Sequence, residues 1–239
     1  MRKWIIMGML GLVALGSCSV KEDRSDCPCW ITVIAEESTS ISAWFGNQKI
    51  LDSHRGGLED HTVPRGIVDL VASHGSFLVP EGEQMSELYA ELQHLNTNGE
   101  TALTGIELQK QFATVYLDFK DEIDGRTGYD IQIEGKYTGA DIRTLAPVDG
   151  AFRCIPEAAS ERGYMFRVPR QKDDSLEAVL LNEGKEVDRI PVGELIRKAG
   201  FDWGKQGLGD VYIVADLPAH SFLVTIKEWE GPVTFDVTI

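Results

Sequence analysis

The chain has 239 residues, with 23 Lys and Arg against 38 Asp and Glu, a formal charge of −15, and 43% hydrophobic but only 8% aromatic residues. That apolar content is too high for a disordered chain, and the Gly and Cys counts are too low for a collagen-like or disulfide-dense one. A single apolar stretch excludes a polytopic helical membrane protein, and the net acidity argues against nucleic acid as a partner, because such a groove needs clustered Lys and Arg.

The apolar stretch comes first. Arg2 and Lys3 precede an uncharged run from Trp4 to Leu15, and Gly16 and Ser17 lead into Cys18. The run is too short to span a bilayer, which takes roughly 20 helical residues, and it has the layout of a secretory signal. Leu15-Gly16-Ser17-Cys18 resembles a bacterial lipobox, in which the cysteine thiol is acylated after cleavage and several acyl chains give a stable anchor. Cleavage there would remove Arg2 and Lys3 and shift the formal charge from −15 to −17. Lys21, Glu22 and Asp23, just beyond the cysteine, resemble the surface-export signal of Bacteroidetes lipoproteins. The expected location is the outer membrane, lipid-anchored and facing outward.

With Cys18 acylated, Cys27, Cys29 and Cys154 remain, so at most one disulfide can form among them. Cys27-Pro28-Cys29 lacks the spacing of a CxxC redox or zinc motif, and a buried or structural role is expected.

From Cys29 the pattern is one of strands and turns. Trp30–Ile34 and Ile41–Phe45 are short strand-like runs, and Gly46-Asn47 and Arg55-Gly56-Gly57 read as loops. Thr62–Ala72 reads as one extended segment with Pro64 at its edge, followed by Phe77–Val79. Gln84–Leu95 is open between helix and strand: Met85, Leu88, Leu92 and Leu95 have helical spacing, whereas Leu88, Ala90 and Leu92 alternate. In Phe112–Phe119, Ala113, Val115, Leu117 and Phe119 alternate with Thr114, Tyr116 and Asp118, the pattern of a sheet with one buried face. Asp124-Gly125 predicts a turn before Tyr129–Ile133, and Leu176–Ile190 predicts a hairpin closed at Asn182–Lys185. Val192–Ala199 is the one predicted helix, stopped by Gly200. Val211–Ala215, Phe222–Ile226 and Val233–Ile239 complete a set of short strands that implies an all-β fold of sandwich type.

No chemistry stands out. His54, His61, His74, His94 and His220 fall in separate segments without HExxH spacing, and no G-x-S-x-G elbow, P-loop or dinucleotide fingerprint is present. Gly204–Gly209 is a glycine-rich loop before a strand, and Asp121–Gly125 lacks the twelve-residue calcium loop with its closing Glu. No catalytic residue, metal or cofactor is therefore expected. Trp30 and Trp44 lie inside strands and are expected to fill cores, whereas Trp203, in the glycine-rich loop, is the one tryptophan that is a candidate for ligand contact, with core packing as its alternative.

Particular segments point to a family. The lipobox, the Lys-Glu-Asp tether and Asp26-Cys27-Pro28 resemble the N-terminus of the FimB-type, fimbrillin-A associated anchor subunits of Bacteroidetes type V fimbriae. Leu108–Val115 is similar to the segment that opens the family's second domain. Gly209–Val214, Phe222–Ile226 and Trp229 resemble its closing strands. Ile41–Thr104 is short for this family.

The resemblance implies two transthyretin-like β-sandwich domains in series, over residues 29–107 and 108–239, after a signal peptide at 1–17 and a lipidated tether at 18–28. It implies a non-enzymatic lipoprotein that holds the base of a fimbria, limits its length, and meets a fimbrillin stalk subunit by strand exchange. The chain ends soon after Trp229, so a long C-terminal donor arm is not expected. The alternative is a surface lipoprotein that binds glycan or another ligand.

Overall fold

The computed structural model describes residues 27–53, 56–120, 130–160, 162–228 and 231–238. Among them are eighteen strands and one short helix. The first half contains β1 (Cys29–Ala35), β2 (Ser40–Phe45), β3 (Gln48–Ser53), β4 (Gly57–Val63), β5 (Ile67–His74), β6 (Tyr89–Asn96), β7 (Thr101–Gly105) and β8 (Gln109–Lys110). These make two facing sheets, β4-β1-β7 and β3-β2-β5-β6-β8. β1 is the middle strand of the smaller sheet, antiparallel to β4 and parallel to β7. The two-residue period of a strand sends Cys29, Ile31 and Val33 inward, where they meet Ile41, Ala43, Val68 and Leu70 of the other sheet.

The second half contains β9 (Phe112–Phe119), β10 (Asp130–Ala140), β11 (Pro147–Cys154), β12 (Glu157–Ala158), β13 (Gly163–Pro169), β14 (Glu177–Asn182) and β15 (Lys185–Ile190). Helix α1 (Val192–Lys198) follows, then β16 (Asp210–Asp216), β17 (Ser221–Glu228) and β18 (Gly231–Thr238). Sheets β11-β10-β14-β15 and β12-β13-β9-β16-β17-β18 enclose a second core around Phe166, Leu117, Ile133 and Leu180. The fold is thus all-β, two sandwiches in series with one short helix. The β14–β15 hairpin turns on Glu183 and Gly184, at φ of 53° and 75°, the positive pair that a type I′ turn requires. α1 buries Val192, Leu195 and Ile196, and ends where Gly200 adopts φ of 80°.

A third cluster joins the sandwiches. Met85, Leu88, Ala90, Phe112 and Ala140 are all buried, with Phe77, Val79, Tyr89 and Leu145 packed against them. The segment between β5 and β6 makes this possible by leaving its own sandwich and adding main-chain bonds to the other. Val79 N donates to Thr138 O at 2.8 Å, Ala140 N to Phe77 O at 2.8 Å, and Met85 N to Arg167 O at 3.1 Å.

Three expectations change. Thr62–Ala72 is not one segment: β4 ends at Val63 and β5 starts at Ile67, because Pro64-Arg65-Gly66, with Gly66 at φ of 139°, turns the chain. The open element at Gln84–Leu95 resolves as strand β6, preceded by an irregular stretch. Trp30 does not fill the core. It is 58% exposed, because its even position in β1 places it opposite Cys29, Ile31 and Val33. Trp44 is buried, with the Arg143 guanidinium 5.8 Å from its ring centroid. The expected turn at Asp124-Gly125, the calcium-like run Asp121–Gly125, His54 and Trp229 lie outside the described residues.

Candidate functional site

Cys18, Lys21, Glu22 and Asp23 lie outside the described residues. Trp203, the candidate ligand contact, is half-buried in the loop after α1 and packs edge-to-face on Phe201, with ring centroids 4.7 Å apart. It lines a cleft of about 310 Å³ between the sandwiches, together with Leu92, Leu145, Pro147, Arg170 and Gln206. The cleft wall is built by a buried polar network. Arg170, only 7% exposed, donates from Nε to Gln111 Oε1 at 2.9 Å, from Nη2 to Gln206 O at 2.8 Å, and from Nη1 to Trp203 O. Gln111 Nε2 is shared among the carbonyls of Ala90, Gln109 and Gln206.

Arg170 is thus a buried cation whose hydrogen-bond partners are all neutral. Burial pushes its pKa down, and nearby Asp202 opposes that. The network fixes the Trp203 loop against the β8–β9 connection. It leaves a cleft in which the apolar side chains of Leu92, Leu145 and Pro147 stand beside the charged groups of Glu91, Arg170 and Lys205.

A second cation bridges the sandwiches. Arg143, in the loop between β10 and β11, donates from Nη2 to Gly46 O at 2.7 Å and from Nη1 to Asn47 Oδ1 at 3.4 Å, and lies 3.6 Å from Asp69. Its loop is held by Asp141, whose Oδ1 accepts from Arg143 N, Thr144 N and Thr144 Oγ1 at 2.8–3.0 Å. Burial pushes the Asp141 carboxyl up, but these bonds outweigh it and hold the pKa below the usual carboxylate range.

Cys27 is exposed, Cys29 and Cys154 are buried, and all three are free thiols. Each sandwich core contains one of the buried pair. Burial pushes the Cys154 thiol up to about 12. Among the described residues no three His, Cys, Asp or Glu side chains are placed to hold a metal ion, and no helix is long and apolar enough to cross a membrane. His94 pairs with Asp69 at 2.7 Å and His61 lies 3.1 Å from Glu59.

Strand exchange requires an accessible edge, and the edges differ in their guards. β15 is guarded by charge: Arg189 pairs with Glu134, Glu177 and Glu186. β11 is broken by register shifts against β10. β18, the last strand, is itself paired along its length with β17. β7, Thr101–Gly105, carries no charged side chain, and its contact with β6 runs through Gln93, whose Nε2 donates to Gly105 O at 2.9 Å.

The architecture defines a class, the tandem β-sandwich proteins, and solved structures share this fold at low sequence identity. A candidate polysaccharide-binding protein from Bacteroides thetaiotaomicron matches with a TM-score of 0.61 at 12% identity, covering 88% of this chain and 98% of its own. The fimbrial anchor protein Mfa2 from Porphyromonas gingivalis matches with a TM-score of 0.53 at 12% identity, covering 85% of this chain and 98% of its own. A candidate adhesin from Bacteroides ovatus matches with a TM-score of 0.53 at 11% identity, covering 91% and 97%. No protein-family model matches this sequence, and neither does any curated protein.

Proposed function

We propose that this protein is a non-enzymatic surface lipoprotein, held in the outer membrane by acyl chains on Cys18, that anchors the base of a fimbria. The observation that carries the reading is the coincidence of two features in one chain. A lipobox precedes the tandem sandwich, and the tandem sandwich is the fold of a fimbrial anchor over 98% of that protein's length. The partner is a fimbrial stalk subunit. Contact by strand exchange draws support from β7, an edge without charge, because main-chain bonding at an edge gives affinity and alternate side-chain pockets give specificity.

The test is Cys18→Ala in the native host, with the fimbriae counted on cells and in the medium. Fibres shed into the medium, with the variant recovered in soluble form, are the expected result. Fibre attachment unchanged from wild type would overturn the anchor reading.

A second reading has one observation in its favour. The cleft of about 310 Å³ at Trp203 and Arg170 is large enough for a small sugar, and the indole supplies a stacking surface. Retention on immobilised polysaccharide that Trp203→Ala abolishes would favour it over the anchor.

A further inference from the structure

We infer that the outer face of the β4-β1-β7 sheet is the docking surface for the fimbrial partner, and that it receives an uncharged, aliphatic β-face of that subunit. The inference rests on the fimbrial reading and adds the place and chemistry of contact. The register aligns three rows of outward side chains: Thr62, Trp30 and Thr101; Asp60, Thr32 and Leu103; and Leu58, Ile34 and Gly105. Trp30 is 58% exposed, Ile34 47%, Leu58 74% and Leu103 70%. Ile34 and Leu58 are direct cross-strand neighbours, and Leu103 is one row from both Trp30 and Ile34. Thus four large apolar side chains, from three separate strands, adjoin one another on one small, open sheet face.

Charge sharpens the contrast. In a chain of formal charge −15, these nine positions hold one carboxylate, Asp60, whose Oδ1 accepts from Thr32 Oγ1 at 2.6 Å. The β11-β10-β14-β15 sheet of the other sandwich bears Glu134, Arg153, Glu177, Glu186 and Arg189 in one ion-pair network.

Other occupants fit less well. Residues 19–26, Ser-Val-Lys-Glu-Asp-Arg-Ser-Asp, contain a single aliphatic side chain and cannot cover an apolar face. A bilayer would meet a face without Lys or Arg on a strongly acidic body, lacking the attraction that holds apolar surfaces on anionic lipid. A second copy seated face to face about a two-fold axis would bring this patch only against itself, and for that the area is too small. Three strands of five residues span about 14 by 17 Å, roughly 240 Å². A stable interface needs about 800 Å² per partner. The partner must therefore extend past the sheet, and the uncharged β7 edge adjoins the face directly. Face and edge together make one continuous docking site.

The test places a photoactivatable crosslinking residue at Ile34 or Leu103, and as a comparison at Val187, which is 50% exposed on the other sandwich. Full-length protein on fimbriated cells is irradiated and the products are sequenced by mass spectrometry. Crosslinks to a subunit of the isolated fibre from Ile34 and Leu103, at least tenfold above Val187, are expected, and the Leu58→Lys variant should lose them while retaining its melting temperature. Fibre crosslinks from Val187 alone would overturn the docking face and leave the fimbrial reading standing. Self-crosslinks or lipid adducts in place of fibre products at Ile34 and Leu103 would overturn the partner assigned. No fibre crosslink from any position would overturn both readings.

Discussion

Replacing Leu88 by Ala tests whether the third cluster makes the two sandwiches one cooperative body. Leu88 is fully buried between them, and its carbonyl accepts from Gln111 N at 2.8 Å, so the backbone around it is pinned on both sides. Three carbons are lost, a transfer term of about 2.4 kcal/mol at ~0.8 kcal/mol for each. Pinned walls cannot collapse into the space, and the cavity raises the expected cost to about 3–5 kcal/mol. Leu103→Ala, at a site 70% exposed, should cost less than about 0.5 kcal/mol. Urea unfolding gives the comparison, and thiol labelling at each urea concentration gives the location, since Cys29 reports the first core and Cys154 the second. With an m-value of roughly 2.5 kcal/mol/M, the midpoint should fall by roughly 1–2 M for both thiols together. A shift confined to one thiol, or a Leu88→Ala cost below about 0.5 kcal/mol, would refute the coupling.

Three further outcomes are expected. In native protein beginning after Cys18, maleimide at pH 8 should modify Cys27 within minutes and leave Cys29 and Cys154 unmodified until denaturant is added, with mass spectrometry counting the adducts. Gly139→Ala should lower stability by about 2–4 kcal/mol, because its φ is 151° and a Cβ there would lie 2.1 Å from Phe77 O; a melting temperature equal to wild type would contradict this. The Asp141 carboxyl is held below its ordinary value, so its contribution is present above the unfolded pKa, near 3.9, and is lost as pH falls through that range to the lowered folded value. The protection factors of the Arg143 and Thr144 amides, taken against the intrinsic exchange rate at each pH, should fall over that acid range in wild type and show no such dependence in Asp141→Asn.

Alternation from Ala113 to Phe119 made β9 legible, although Phe112 to Val115 are buried on both faces, and the Gly184 turn and Gly200 stop made the β14–β15 hairpin and α1 legible too. Trp30 was misplaced because Trp30–Ile34 is apolar or β-branched at every position. Composition then marks a strand without saying which face is wet, and only the partner sheet decides. β11 and β13 had little signal, since Pro147, Asp149 and Gly150 interrupt one and Tyr164 to Val168 shows no clean period. Arg143 and Arg170 had none: each works through carbonyls and side chains 33 to 97 positions away, and such pairings exist only after folding. The docking face was invisible for the same reason. Leu58, Ile34 and Leu103 belong to three separate segments that β1 pairing alone brings into one patch.

On the anchor reading, the position of β1 also decides how the protein bears load. The tether enters at Cys29, and Arg65 Nε donates to Cys27 O at 2.8 Å just before it. Tension from a lipid at Cys18 therefore pulls along the axis of β1. As the middle strand, β1 is bonded on one side to β4 and on the other to β7, and axial pull loads both ladders in shear, where many bonds must yield together. An edge strand entered from the same end would have one ladder to resist. The lifetime of such an attachment is set by an unfolding rate rather than by equilibrium stability. The docking face lies on the same sheet as the tethered strand, so a fibre seated there would transmit its load to the lipid through β1 and its two neighbours, without passing through the second sandwich at all.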